Sequence, residues 1–242
     1  MLQILRRSNP DVPRRVGEQP KGAIETARMR IADLRGRGVY SGYPNASRSI
    51  FIHIPKTAGT SVARALNVEP DSPTPYYQYL RASPSKFRKF FKFAFVRNPW
   101  DRLGSAFFYL KREGANLAAE SDNFRIWWEA NFVPYKDLED LVCNWLTPGN
   151  ARTDVHFAPQ SCFICDPSGR VMVDFVGRFE TIDRDFEFIA RRLGTDVRLP
   201  VTNQSGHQSY QQYFTPRMNV LIQEVYAGDC RIFGYANPFV GS

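Results

Sequence analysis

The sequence predicts an α/β fold with a mostly parallel sheet flanked by helices. Residues 51–61 read Phe-Ile-His-Ile-Pro-Lys-Thr-Ala-Gly-Thr-Ser, a short apolar strand running through a turn into a segment able to open a helix. Residues 92–105 repeat that order: Phe93 to Val96 form a continuous apolar run suited to a strand covered on both faces. Asn98 then offers an N-cap, Pro99 a first helical residue, and Leu103, Ala106, Phe107 and Leu110 recur at helical spacing. Strands and helices alternate thereafter, as parallel sheets require.

Two units are expected, a partly helical appendage over residues 1–47 and a single domain over 48–242. The appendage is rich in Arg, Pro and Gly, with one helical stretch from Ala23 to Leu34. It has two readings: packed on the domain, or packed on a second subunit in a homo-oligomer. Residues 49–67 give strand, turn and helix. Residues 68–86, with Pro70, Pro73, Pro75 and Pro84 among Tyr76, Tyr77 and Tyr79, read as a loop with at most a short helix. Residues 114–152 read as helical, with aromatic groups around Trp127, Trp128 and Trp145 whose spacing makes core packing the default. Phe157 to Cys165 and Arg170 to Phe179 read as a short β pair turning at Asp166-Pro-Ser-Gly169. Asp185 to Leu193 reads as an amphipathic helix, 200–214 as a polar loop, and Pro216 to Tyr226 as the final helix.

The 51–61 turn gathers backbone N–H groups, hydroxyls and one ammonium around a point that suits an anion, above all a phosphate. The layout is P-loop-like, yet in G-x-x-x-x-G-K-[ST] the lysine follows the glycines, whereas Lys56 precedes Gly59 here. Gly59 permits close backbone approach. Thr57, Thr60 and Ser61 each offer a hydroxyl, and Thr60 reads equally as a helix cap. Arg97 sits at the carboxyl end of its strand, where ligands bind in open α/β sheets. Its planar fork suits a phosphate, and the other reading is an ion pair with Asp101. Ser105 follows about two turns into the helix. Arg102 reads as solvated or salt-bridging.

These motifs are those of a known family. The chain resembles the sulfotransferases that use 3′-phosphoadenosine 5′-phosphosulfate (PAPS), in their carbohydrate-type, bacterial and Golgi branch. There a Pro-Lys-Thr-x-Gly-Thr-Ser turn binds the 5′-phosphosulfate and an Arg-x7-Ser pattern the 3′-phosphate. The matching positions are Pro55 to Ser61, and Arg97 with Ser105. His156-Phe-Ala-Pro-Gln160, Val173 to Glu180, and Asp229 with Phe233-Gly-Tyr235 also look like the family, so the resemblance runs over roughly residues 48–236. It implies a PAPS sulfotransferase fold, PAPS as co-substrate without a metal, and a sulfuryl group moved to a hydroxyl of a carbohydrate or glycolipid. It further implies a donor site built from Lys56, Thr57, Ala58, Gly59, Thr60, Ser61, Arg97 and Ser105. Lys56 would be catalytic as well, stabilising charge on the leaving oxygen.

A base that accepts the acceptor hydroxyl proton should titrate near neutrality, which favours histidine. His156 is the leading candidate, with a structural role in its loop as the alternative. His53 reads as buried in the first strand, and His207 lies in the 200–214 loop. Some relatives carry a histidine between the two phosphate motifs; here Tyr76, Tyr77 and Tyr79 occupy that region. Glu180 reads as an acid/base or substrate contact, or as an ion pair with Arg178 or Arg184. Cys162-x2-Cys165 is half a zinc site without its other half, so no metal is expected.

A chain of 242 residues, 43% apolar, with 19 Phe and 11 Tyr, has ample material for one large core. Its net charge of +8 suits an anionic ligand and equally nucleic acid. Against nucleic acid, the charge is scattered and no recognition motif appears. The rival enzyme reading, a P-loop nucleotide kinase, conflicts with the order of Lys56 and Gly59. No run of 18 apolar residues occurs, and Met1 to Leu5 is too short for a signal-peptide core before Arg6 and Arg7. Four cysteines at this length do not suggest a disulfide framework. Golgi members of the family the chain resembles are luminal and membrane-anchored, so the resemblance without such an anchor implies a bacterial, cytoplasmic member with no integral membrane segment.

Overall fold

The computed structural model describes Val16 and residues 22–68, 73–200 and 210–239. Three parallel strands form the sheet in the order β1 (Ser49–Ile52), β2 (Phe91–Val96), β3 (Phe175–Arg178). Phe51 pairs with Phe93, Phe93 with Phe175, and Val96 with Arg178, so all three carboxyl ends emerge along one edge.

Helices come in chain order as α1 (Ala23–Leu34), α2 (Tyr43–Ser47), α3 (Gly59–Ala65), α4 (Tyr76–Ala82), α5 (Pro84–Lys89), α6 (Pro99–Glu120), α7 (Asp122–Asn131), α8 (Leu138–Asn144), α9 (Ser161–Ile164), α10 (Ile182–Leu193) and α11 (Pro216–Phe233).

Strand alternation explains how both faces are covered. Ile50, Ile52, Ala94 and Val96 enter one core with Trp100, Leu103, Leu141 and Ile222 of α6, α8 and α11. Phe93 and Phe95 face a second core with Val62 of α3 and Phe186, Ile189 and Ala190 of α10. Each buried Val, Leu, Ile or Phe side chain among them contributes about 1.5–3 kcal/mol.

Several expectations change. The described part of the expected 68–86 loop, residues 73–86, is mostly helical: α4 follows Pro75 directly, and α5 has Pro84 in its first turn with the Ser83 side chain as its cap. Proline there starts helices rather than preventing them. Tyr76, Tyr77 and Tyr79 are buried on α4. Tyr40 is fully buried beside them and donates its hydroxyl to the Tyr79 carbonyl at 3.1 Å. The β pair expected at 157–179 is absent. Its first arm turns into α9, leaving one antiparallel bridge between Cys165 and Val171, while β3 pairs with β2 instead. The last helix continues past Tyr226, where its backbone kinks, and stops at Phe233 before Gly234 with φ 67°.

Candidate active site

The turn after β1 is strained. Lys56 and Ala58 both adopt positive φ, 70° and 66°, which costs a non-glycine residue on the order of 1 kcal/mol or more. Three bonds hold it. Thr57, fully buried, donates its hydroxyl to the Ile54 carbonyl at 2.9 Å. Arg102 Nε donates to Pro55 O at 2.8 Å, and an Arg97 guanidinium nitrogen donates to Lys56 O at 3.1 Å. The carbonyls are thus tied inward. Helical bonding begins only at Ser61 and Val62, both on Ala58 O, and leaves the earlier amides as donors for an anion. Gly59 is required by a neighbour: a Cβ there would lie 1.9 Å from the His53 ring.

Arg97, Asp101, Ser105 and Tyr109 follow at four-residue steps, so they share one side of the chain entering and following α6. Arg97 is nine-tenths buried and pairs with Asp101 through two bonds, 2.7 and 2.9 Å, the ion pair that competed with the phosphate reading. Its guanidinium also stacks 3.9 Å from the Phe179 ring centroid. Among the described residues these bonds use three of its five N–H donors, two to Asp101 and one to Lys56 O. Gln160 fixes its backbone, accepting from Arg97 N at 2.8 Å and donating to Arg97 O at 2.9 Å. Buried Asp229 in turn accepts from the backbones of Gln160 and Ser161, at 2.6 and 2.9 Å. That carboxylate starts α9 and explains the missing β arm.

Lys56 lays its ammonium 3.7 Å from the Tyr109 ring centroid. Burial, then the nearby Arg97, Arg112 and Arg102 charges, lower its pKa to about 8. The His156 ring lies 5.4 Å from the same tyrosine. His156 Nδ1 bonds the Asp154 carboxylate at 2.9 Å, and the same oxygen accepts from His156 N at 2.8 Å. A carboxylate on Nδ1 orients an imidazole and leaves Nε2 for outside work.

Arg102, expected to be solvated or salt-bridging, is instead buried and donates to three carbonyls: Pro55, Ala158 at 2.8 Å and Val155 at 3.2 Å. It therefore ties the Lys56 turn to the His156 loop. Glu180 forms neither expected ion pair. It accepts from Asn98 N at 2.6 Å and from the Tyr235 hydroxyl at 2.9 Å, holding the start of α6. Arg178 instead donates to Phe233 O, and Arg184 pairs with Asp185.

Cys162, Cys165 and Cys230 are buried free thiols, pushed up by burial to about 11, 12 and 11. No group of three or more His, Cys, Asp or Glu able to hold a metal occurs among the described residues. The tryptophan side chains pack inside: Trp100 donates to Asn219, Trp127 to Thr153 and Trp145 to Asn131. His207 lies outside the described residues. Beyond Tyr109, an open surface groove of about 590 Å³ lies along α6, its lining (Tyr109, Glu113, Asn116, Leu117, Ala119 and Glu120) drawn from that helix alone among the described residues.

Comparison with known proteins gives the chain a family. The model of the sulfotransferase family matches residues 46–236. The chain belongs to that family. Among curated proteins it is similar to carbohydrate sulfotransferase 10 of Mus musculus, Rattus norvegicus and Homo sapiens. Each is 24% identical over 182 residues, covering 63% of this chain and 49% of the relative. The chain thus spans about half the length of the curated relatives it matches. No solved structure matches it significantly.

Around this candidate site, Tyr109, Asp154 and the Gln160–Asp229 clasp were not among the residues the sequence singled out. Tyr109 stands four residues after Ser105, and Asp154 two before His156, so both had a spacing signal. Gln160 and Asp229 lie 69 residues apart and had none beyond their place in family-like segments.

Proposed function

We propose that this protein moves a sulfuryl group from PAPS to a hydroxyl of a carbohydrate, free or on a glycolipid. The observation that carries the reading is the convergence of Lys56, on its anion-binding turn, and His156 on Tyr109 at the mouth of the α6 groove. The residues present fit the donor. Amides of Thr57 to Thr60 and the hydroxyls of Thr60 and Ser61 would hold the 5′-phosphosulfate; Arg97 and Ser105 would take the 3′-phosphate. PAPS supplies an activated sulfuryl group, transferred in line as in phosphoryl transfer.

The chain's own residues do the rest. Lys56 places positive charge beside the leaving oxygen. His156, oriented by Asp154, accepts the acceptor proton at Nε2. Arg102 sets the spacing between them. The groove along α6 holds the acceptor, with Glu113, Asn116 and Glu120 as partners for sugar hydroxyls and Tyr109 as a stacking face. The carbohydrate class also follows the names of the similar proteins. No helix among the described residues is long and apolar enough to cross a membrane. The free thiols support a reducing, cytoplasmic compartment as part of this proposal.

The test is incubation with sulfur-labelled PAPS and a panel of neutral, aminated and acidic oligosaccharides. Label should move to at least one sugar from wild-type protein and not from Lys56→Ala. Transfer to none, with the folded protein still binding nucleotide, would count against a carbohydrate acceptor.

A further inference from the structure

Helix α1 is amphipathic in the inverted sense. Ile24, Ala27, Ile31 and Leu34 recur at steps of three and four, so they line one stripe. That stripe faces away from the protein: Ile24 is 74% exposed, Ile31 47% and Leu34 85%. The opposite side carries Met29, which packs on the main core, and buried Asp33, which pairs with Lys86 of α5 at 2.7 Å. A helix on the surface of a soluble protein normally does the reverse.

The charge around the stripe is of one sign. Exposed Arg28 and Arg35 stand on one border, exposed Arg30 on the other, and exposed Arg37 just beyond the helix end. Arg88 and Lys89, exposed on α5, extend the basic surface. The acids of α1 lie off the stripe: Glu25, half-buried, stands beyond Arg28 on the helix circumference, and buried Asp33 is held by Lys86. A second copy would bring arginine against arginine, which disfavours a dimer through this face. An anionic bilayer satisfies both features, taking apolar side chains at the acyl boundary and arginines at headgroup phosphates.

We propose that the outward face of α1 docks on an anionic membrane surface, with Ile24, Ile31 and Leu34 inserted and Arg28, Arg30 and Arg35 on lipid phosphates. The proposal is independent of the catalytic reading.

Full-length protein is sedimented with phosphatidylcholine vesicles, with and without phosphatidylglycerol. Wild type should bind only the anionic vesicles, and less as salt rises. The triple variant Ile24→Ser, Ile31→Ser, Leu34→Ser should lose affinity about tenfold or more. Arg28→Gln with Arg35→Gln should flatten the salt dependence. Both variants should keep the wild-type Tm and oligomeric state. Four results would overturn the proposal: no vesicle binding by wild type, binding unchanged in the serine variant, a wild-type dimer that the serine variant dissociates, or a clear fall in Tm in that variant. The third assigns the face to a second copy, and the fourth to a covering segment of the chain itself.

Discussion

Lys56 and His156 rest against the same side chain, Tyr109, with the ammonium 3.7 Å and the imidazole 5.4 Å from its ring centroid. The two groups assigned to opposite ends of the transfer therefore share one wall. Because burial and neighbouring arginines hold Lys56 at about 8, its charge is conditional near neutral pH. An anion placed against it favours the charged form and raises that pKa, so binding takes up a proton above pH 8. Affinity for adenosine 3′,5′-bisphosphate should fall as pH rises through 8. Titration calorimetry across that range checks it. Lys56→Met should bind more weakly and lose the slope; a slope that survives in Lys56→Met would assign it to another group.

The Asp154–His156 pair predicts a split between binding and turnover. His156→Ala should lower kcat by about 10²–10⁴ while bisphosphate affinity stays within a few-fold. Asp154→Asn should lower kcat in the same direction and move the pH profile, because the imidazole loses its orienting carboxylate. Steady-state kinetics over pH would contradict the base assignment if His156→Ala keeps its activity.

Arg102 should be a stability residue as much as a site residue. Its removal takes the donor from two buried carbonyls, at about 1–3 kcal/mol each, and from the part-buried Val155 carbonyl, so Arg102→Met should lose about 3 kcal/mol or more. For a chain of this size that is a fall in Tm of about 6–12 °C. Calorimetry measures it, and an unchanged Tm would remove Arg102 from the account.

Gly59 and His53 should be coupled. Gly59→Ala pushes a methyl into the His53 ring and should weaken both folding and bisphosphate binding. His53→Ser makes room, so the double variant should recover most of the loss. Double-mutant cycles on Tm and affinity test this; additive effects would mean the ring is not the obstacle.

The sequence was legible where local chemistry decides the structure. The Pro-Lys-Thr turn, Asn98-Pro99 at the start of α6 and the apolar run of β2 are all short-range signals, and each forms as read. It was not legible where a distant partner decides. Within Phe157 to Cys165 the apolar run is only Cys162 to Cys165, too short to tell strand from helix until Asp229 captures the amides of Gln160 and Ser161. Arg102 reads as solvated or salt-bridging in the sequence because arginines are seldom fully buried unless paired, and its three carbonyl partners come from two other loops. Tyr76, Tyr77 and Tyr79 looked like loop residues among prolines, yet the prolines open α4 and α5 and the rings fill the core around Tyr40.

The central claim is that the turn from Lys56 to Ser61, with Arg97 and Ser105, forms one donor site that requires a 3′-phosphate. The most direct measurement is titration calorimetry of adenosine 3′,5′-bisphosphate against AMP in EDTA, on wild type and Arg97→Ala. The account predicts that the bisphosphate binds wild type clearly more tightly than AMP. It also predicts that Arg97→Ala loses about 1.5–3 kcal/mol toward the bisphosphate and little toward AMP. Equal affinity of wild type for both nucleotides, or an equal loss for both in the variant, would contradict it.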